Sequence, residues 1–431
     1  MVGHGVIANR YPYGAFLLAL CYGLALFPPL SRFILIVCVA IGPVLNPPLI
    51  SLGAMRGGGV EGGRVYLIQA LLLLVVIGAF CVAIRTELRA TAVAIVMLVI
   101  LLVALQSAGR PNAGLAWIYR PIQVFLIAFA VRSLYHNHKD RFLLAALAWG
   151  SAIGCALASV HALVPQLDPF TVSRPDNLPF VSKLGDFTRA TGAFTYPNNL
   201  GTFAAYTIIL GSAALLLGRP RLSRALSWFL VSSGSAALLL SGSRAALLGV
   251  FGASFYFAIR TSPRRRGVFL AFGAIAAFGI VLAVVSSPAA TDVARQRIDT
   301  ATGESLTLRA EGWQTTLDAF ASSPLIGTGA TTARTDGFWL LYLSQAGLVG
   351  AVLFFLLTRL SFGALKADTQ YPELWVALLL VLGTSGLLQD SLGQTLTTWF
   401  PGALLGLCIQ SDRCPRAAHS TVELEPSGRS S

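Results

Sequence analysis

Three short polar segments set between apolar runs carry the side chains best suited to chemistry, and each contains an arginine. The first is Asp186-Phe187-Thr188-Arg189-Ala190-Thr191-Gly192-Ala193-Phe194-Thr195-Tyr196-Pro197-Asn198-Asn199-Leu200-Gly201, which leads into an apolar run. Asn198 or Asn199 is expected to cap a helix there, setting free backbone amides beside Arg189 at the positive end of that helix. In outline this is an anion site, although a capped turn with one interfacial Arg has the same composition. The second segment, Ser241-Gly242-Ser243-Arg244, joins two apolar runs, and no other charge occurs for about twenty residues before Arg244. A guanidinium at such a depth is costly unless it meets a phosphate, a carboxylate or water. The plainer alternative is an Arg that snorkels at the closing turn of a hairpin. The third runs from Arg309 and Trp313 through Pro324-Leu325-Ile326-Gly327-Thr328-Gly329 to Thr335-Asp336-Gly337. The Gly-x-Gly turn alone is weak evidence, and Asp336 has the plain reading of a cap on the following helix.

The elements that must position these residues are membrane helices. A chain of 431 residues that is 55% hydrophobic and 11% charged, with a mean hydropathy of +0.72, does not have the composition of a soluble surface. Continuously apolar runs recur near 65–85, 90–106, 115–132, 141–164, 198–217, 224–240, 243–260, 267–286, 337–358, 373–389 and 395–409. Runs of about 17 to 25 residues are long enough to cross a hydrocarbon layer of roughly 30 Å as a helix, and none alternates as a barrel strand must. Residues 11–50 hold two further apolar stretches broken by Pro28-Pro29, Pro43 and Pro47-Pro48, which fit two helices or one helix with a bent partner. The expected fold is therefore all-α, a polytopic transmembrane bundle of 12 to 13 spans. The first apolar run has no small-residue cleavage site behind it and is expected to be retained as a span.

Short basic loops orient the spans. Arg219/Arg221/Arg224, Arg260/Arg264/Arg265/Arg266, Arg359/Lys366 and Arg413/Arg416 fall on one side if the spans alternate, as do Arg132, Lys139 and Arg141. That side is expected to be cytoplasmic, which sends the longer segments 165–197 and 287–336 to the outer face. In the second of these, Leu306, Ala310, Trp313, Leu317 and Phe320 recur as an amphipathic stripe. A helix there is expected to lie along the membrane surface, with Arg309 at the edge of the stripe and Glu311 and Asp318 toward water. The organisation is thus a transmembrane core over 1–286, an outer-face loop with a short amphipathic helix over 287–336, C-terminal transmembrane helices over 337–410, and a polar cytoplasmic tail over 411–431 that composition predicts to be disordered.

The net charge of +13 comes from 31 Lys+Arg against 18 Asp+Glu, and only Lys139, Lys183 and Lys366 are lysine. Guanidinium groups suit bidentate phosphate binding, while a compositional bias toward Arg, with cations retained in cytoplasmic loops, would give the same count. The basic residues are scattered one or two per loop instead of forming a stripe, so nucleic acid is not an expected partner. Cys21, Cys38, Cys81, Cys155, Cys408 and Cys414 are dispersed and mostly within apolar runs, which indicates neither a disulfide framework nor a metal site.

Taken in order, these segments resemble the bacterial O-antigen ligase and O-antigen polymerase family, polytopic membrane glycosyltransferases that act on undecaprenyl-pyrophosphate-linked glycans. The resemblance covers roughly residues 185–355. It rests on Arg189 before Gly192-Ala193-Phe194-Thr195-Tyr196-Pro197-Asn198, and on Ser241 to Arg244 at the opening of a later span. Arg309 four residues before Trp313, Pro324 to Gly329, Asp336, and Gly347-Leu348-Val349-Gly350 continue the order. Ligases of the family resemble one another in a His near the end of the long loop, whereas this chain has none between His161 and His419, and Asp336 stands in roughly that place. That departure sets a polymerase of repeat units, or of an exopolysaccharide, ahead of a ligase that delivers glycan to a lipid A core.

The resemblance implies a reaction at the outer face of the inner membrane. An acceptor sugar hydroxyl attacks the anomeric carbon of the lipid-linked donor, and a diphosphate leaves. Charge grows on the leaving oxygen, so guanidinium groups in a low-dielectric pocket suit the step. Arg189 and Arg244 are expected to clamp the pyrophosphate, with Arg309 as a third contact and Trp313 a secondary candidate. Asp336 is the expected base and Asp186 the second choice. Direct displacement would invert the anomeric centre. No metal or other cofactor is expected, because the donor is already activated. The expected partners are the lipid-linked glycan donor, a glycan or lipid-linked acceptor, the bilayer, and export or chain-length proteins. A transporter or flippase is the rival of another class, disfavoured because no inverted repeat is visible and the polar residues gather at the outer face. A membrane scaffold is the third reading.

Overall fold

The structure, a computed structural model, describes residues 28–45, 48–51, 64–86, 88–107, 111–135, 141–164, 166–167, 170, 183–184, 187–194, 196–261, 304–329, 337–362, 371–388 and 395–408. The chain enters α1 (Pro28–Ile41) and then an antiparallel ribbon of β1 (Pro48–Ser51) and β2 (Arg64–Tyr66). Next come α2 (Leu67–Ile84), α3 (Arg89–Ser107), α4 (Pro111–Tyr135) and α5 (Arg141–Leu163). A second ribbon, β3 (Lys183–Leu184) with β4 (Phe187–Thr188), precedes α6 (Pro197–Leu217), α7 (Arg224–Ser241) and α8 (Arg244–Arg260). The remaining helices are α9 (Glu304–Ser322), α10 (Phe338–Phe362), α11 (Pro372–Leu388) and α12 (Thr395–Cys408). Helices thus occupy ten of the eleven apolar runs read from the sequence, and the run at 267–286 lies outside the described residues, as does the tail. Among the described residues, α5, α6, α7 and α10 are long and apolar enough to cross a membrane, and the other apolar helices have shorter described stretches.

Lipid tails are as apolar as leucine, so helices in a bilayer associate by close packing and not by a hydrophobic drive. Small residues make that possible here. Gly150 of α5 lies against α1, where a Cβ would come within 2.5 Å of Val39 O, and Gly154 lies against Pro43 just beyond that helix. Gly402 and Gly406 of α12 lie in the same way against Val124 and Ala128 of α4. Gly234 of α7 seats on Ile208 and Ala204 of α6. Helix α6 is the centre of the bundle, in contact with α5, α7, α8, α11 and α12, and nearly all of its first four turns are buried.

The bundle has two chemically distinct ends. At one, Arg32 Nε donates to Leu134 O at 2.7 Å and Arg132 Nη1 to Leu360 O at 3.5 Å. These bonds gather the start of α1 and the ends of α4 and α10, and they satisfy carbonyls that a helix end leaves open. Helix α12 runs parallel to α4, so its start lies at the opposite end. There Phe203, near the start of α6, meets Phe400 with ring centroids 4.8 Å apart. The start of α6, the end of α7 and the start of α8 therefore share the end away from Arg132.

Candidate functional site

That second end holds the first two polar segments, and the fold ties them into one unit. Ala190 N donates to Leu240 O at 3.0 Å, pinning the chain that leaves β4 to the last turn of α7. Half-buried Arg189 then spans two helix ends, donating from Nε to Ser241 O at 2.8 Å and from Nη2 to Asn198 Oδ1 at 2.9 Å. Between them Gly192 turns with φ +59°, and Ala158 of α5 lies where its Cβ would stand.

The expected cap of α6 is corrected. Tyr196, in extended conformation, is the N-cap and makes no side-chain cap bond, and Pro197 opens the helix. Proline lacks the N–H that a first-turn position leaves unpaired, so it suits that place without help. Asn198 lies inside the helix with its side-chain oxygen committed to Arg189, and Asn199 is buried. The sequence signal for a cap was in fact a signal for an arginine partner.

At the second segment, Gly242 closes α7 in the left-handed conformation, φ 61°, its N–H directed at Leu238 O and Leu239 O. Ser243 caps α8, its Oγ accepting from Ala246 N, and Ser243 N donates to Ser241 Oγ at 3.3 Å. Both serines are buried, and Gly201 of α6 approaches so closely that a Cβ there would collide with Ser243 and Ser241 Oγ. The types Ser-Gly-Ser are thus explained by capping and packing. Arg244 is not. It is exposed at the first position of α8 and, among the described residues, makes no hydrogen bond or ion pair. A cation in the first turn faces the positive end of the helix dipole, which disfavours it. An anion there would reverse the sign. The starts of α6 and α8, two positive helix ends, stand with Arg189 and Arg244 around one turn, an electrostatic setting for a phosphate.

The third segment is only partly described. Asp336 and Asp186 lie outside the described residues, and Arg309 is placed only by the backbone of α9. Its register position is seven residues before Thr316, on the same helix face. Thr316 is fully buried, with Gly312, Ala319 and Phe320 half-buried around it, and this face packs on α10. Of the stripe read from the sequence, Ala310, Trp313 and Leu317 are exposed and Phe320 is partly covered, so it points away from the α10 contact. The small residues make the helix contact, because they allow close approach. Glu311 and Asp318 are exposed as expected, Asp318 Oδ1 accepting from Gln314 Nε2 at 3.1 Å. Among the described residues no three His, Cys, Asp or Glu side chains gather in one place.

Fold and site together define a multi-pass helical membrane protein with an arginine-bearing polar turn at one end of the bundle. Over residues 225–355 the sequence matches the model of the O-antigen ligase family (Wzy_C), which bears out the resemblance to O-antigen ligases and polymerases. The match includes Arg244, Arg309, Trp313, Asp336 and Gly347, whereas Asp186 and Arg189 precede it. It supports a glycan-processing function at a membrane, of the kind that uses lipid-linked glycans, and does not separate ligase from polymerase. No curated protein matches the chain.

Proposed function

We propose that the chain is a bacterial inner-membrane glycosyltransferase that polymerises undecaprenyl-pyrophosphate-linked glycan repeat units at the outer face, with inversion at the anomeric carbon. It spans the bilayer 12 or 13 times, with 287–336 and the α6–α8 turn outside and the Arg132 end in the cytoplasm. The observation that carries the reading is Arg244, an exposed guanidinium at a helix start with no partner among the described residues, one residue from the turn that Arg189 holds in place.

In this reading Arg244 and the amides at the starts of α6 and α8 receive the donor diphosphate. Arg189 adds charge and keeps the two helix ends in register, and Arg309 of α9 is the third contact. As the glycosidic bond to the diphosphate breaks, the charge on the leaving oxygen rises and each of these contacts strengthens, which is what lowers a barrier. Asp336 takes the proton of the attacking sugar hydroxyl, with Asp186 as second candidate. The same machinery fits ligation to a lipid A core. The missing His between His161 and His419 and the Asp in its place favour polymerisation.

A glycan gel of a deletion strain tests the assignment, with complementation by wild type, Arg244→Ala or Asp336→Asn at equal membrane abundance. Polymerisation requires single lipid-linked repeats in the deletion strain and a ladder restored by wild type alone. Long lipid-linked chains that never reach an acceptor would indicate a ligase. Repeats trapped on the cytoplasmic leaflet would indicate a flippase, and a normal ladder from both variants would leave a scaffold.

A further inference from the structure

Helix α10 is broken in its interior. Gly347 has φ 63° and ψ −166°, outside the helical range, and the chain then resumes as helix to Phe362. A break strands carbonyls before it and amides after it, and here a second segment takes up both. Thr328 N and Gly329 N donate to Ser344 O and Gln345 O, each at 3.0 Å, while Leu348 N and Val349 N donate to Pro324 O at 2.9 Å and Leu325 O at 3.0 Å. Gly327 N bonds within the segment to Ser323 O at 2.9 Å, and Pro324 has no N–H to satisfy. The two strands of chain touch through glycine: a Cβ on Gly347 would meet Leu325 O and Gly327 N, and one on Gly327 would meet the backbone of Gln345. The motif Pro324-Leu325-Ile326-Gly327-Thr328-Gly329 is therefore a clasp on a broken span.

The depth of the clasp follows from helix geometry. Arg359 marks the cytoplasmic boundary in the orientation proposed above, on which this inference rests. Gly347 lies twelve residues earlier in sequence, hence roughly 18 Å from that boundary at about 1.5 Å per residue. The hydrocarbon layer is roughly 30 Å thick, so the break and its clasp sit roughly 12 Å beneath its outer edge. Irregular backbone persists at such a depth only when its polar groups are paired within the protein, and the bonds above pair the N–H groups of Gly327, Thr328, Gly329, Leu348 and Val349 in this way. The side chains agree. Leu325 is 65% and Ile326 58% exposed, beside exposed Leu348, Val349, Val352 and Phe355 of α10 and, on α9, Trp313 at 39% and Leu317 at 47%.

We infer that residues 324–329 form a re-entrant wedge inside the outer leaflet, and that acyl chains of that leaflet cover Leu325, Ile326 and the Trp313–Leu317 side of α9. The amphipathic stripe thus faces lipid, and α9 descends toward the clasp instead of floating above the membrane.

Cysteine labelling of the full chain in cells tests this, with the signal of the unsubstituted chain, which has its own six cysteines, subtracted. With a membrane-impermeant maleimide, Asp318→Cys is expected to label quickly and Ile326→Cys at least tenfold more slowly. Leu325→Cys serves as the second probe if Ile326→Cys fails to accumulate. Bimane attached at 326 after solubilisation, followed by reconstitution with doxyl-labelled lipid, is expected to be quenched at least twofold more than bimane at 318. Equal labelling and equal quenching at 326 and 318 would overturn the wedge. If Asp318→Cys labels only after permeabilisation while 326 stays protected and quenched, the proposed orientation fails and the outer-leaflet placement of the wedge is overturned with it.

Discussion

Arg244→Ala separates a functional guanidinium from a structural one, because the structure gives opposite signs for stability and activity. Arg244 is exposed, has no partner among the described residues and faces the positive end of α8. Its removal relieves an unfavourable charge–dipole interaction worth about 0.3–1 kcal/mol at low salt, so the variant should be as stable as wild type or slightly more so. Activity should move the other way. Loss of one preorganised donor to a developing anion costs about 10²–10³ in rate, or roughly 2.7–4 kcal/mol of transition-state stabilisation. The assay is chain extension of a lipid-linked repeat in membranes, normalised to protein abundance, beside a thermal melt in detergent. Activity within about threefold of wild type would refute the assignment of Arg244 to the diphosphate. A melt lowered by several degrees would refute the reading that its position is unexplained by folding.

Other substitutions sort the remaining residues. Arg189→Ala leaves Ser241 O and Asn198 Oδ1 without their donor, and hydrogen bonds to a charged group contribute about 1.5–3 kcal/mol each. Both melting temperature and activity should therefore fall, whereas Asn198→Ala should lose about half as much stability, measured in the same melt. Gly201→Ala forces a methyl into Ser243 and Ser241 and should destabilise by about 1–3 kcal/mol, with a matching loss of membrane abundance on a blot. Asp336→Asn should abolish the ladder without changing the melt, and Asp186→Asn should shorten the ladder less. If the two are reversed on the gel, Asp186 is the base.

Much of this architecture was legible because the bilayer limits the choices. Apolar runs of span length had to be helices, and the ten that lie among the described residues are. The two arginine segments at 189 and 244 were readable as neighbours only through family resemblance, since sequence spacing does not reveal that Arg189 reaches Ser241 O. One local reading failed for a physical reason. Asn198 looked like a cap because capping and side-chain pairing use the same amide, and Pro197 made a cap bond unnecessary. The stripe on α9 was legible as an amphipathic face, whereas the contact that Thr316 and its small neighbours make with α10 was not, because small residues carry no apolar periodicity. The break at Gly347 was not legible, since 337–358 reads as one apolar run, and the paired segment at 324–329 explains why it is tolerated.

The most direct test of the central claim is reconstitution of the purified protein in liposomes with a single undecaprenyl-pyrophosphate-linked repeat unit and no nucleotide sugar. Mass spectrometry then follows both the glycan and the lipid. The expected result is a ladder of lipid-linked oligomers with one undecaprenyl pyrophosphate released per repeat added, and none from Arg244→Ala. Intact donor moved from one leaflet to the other with no pyrophosphate released would contradict it, and would make the arginines part of a transport path.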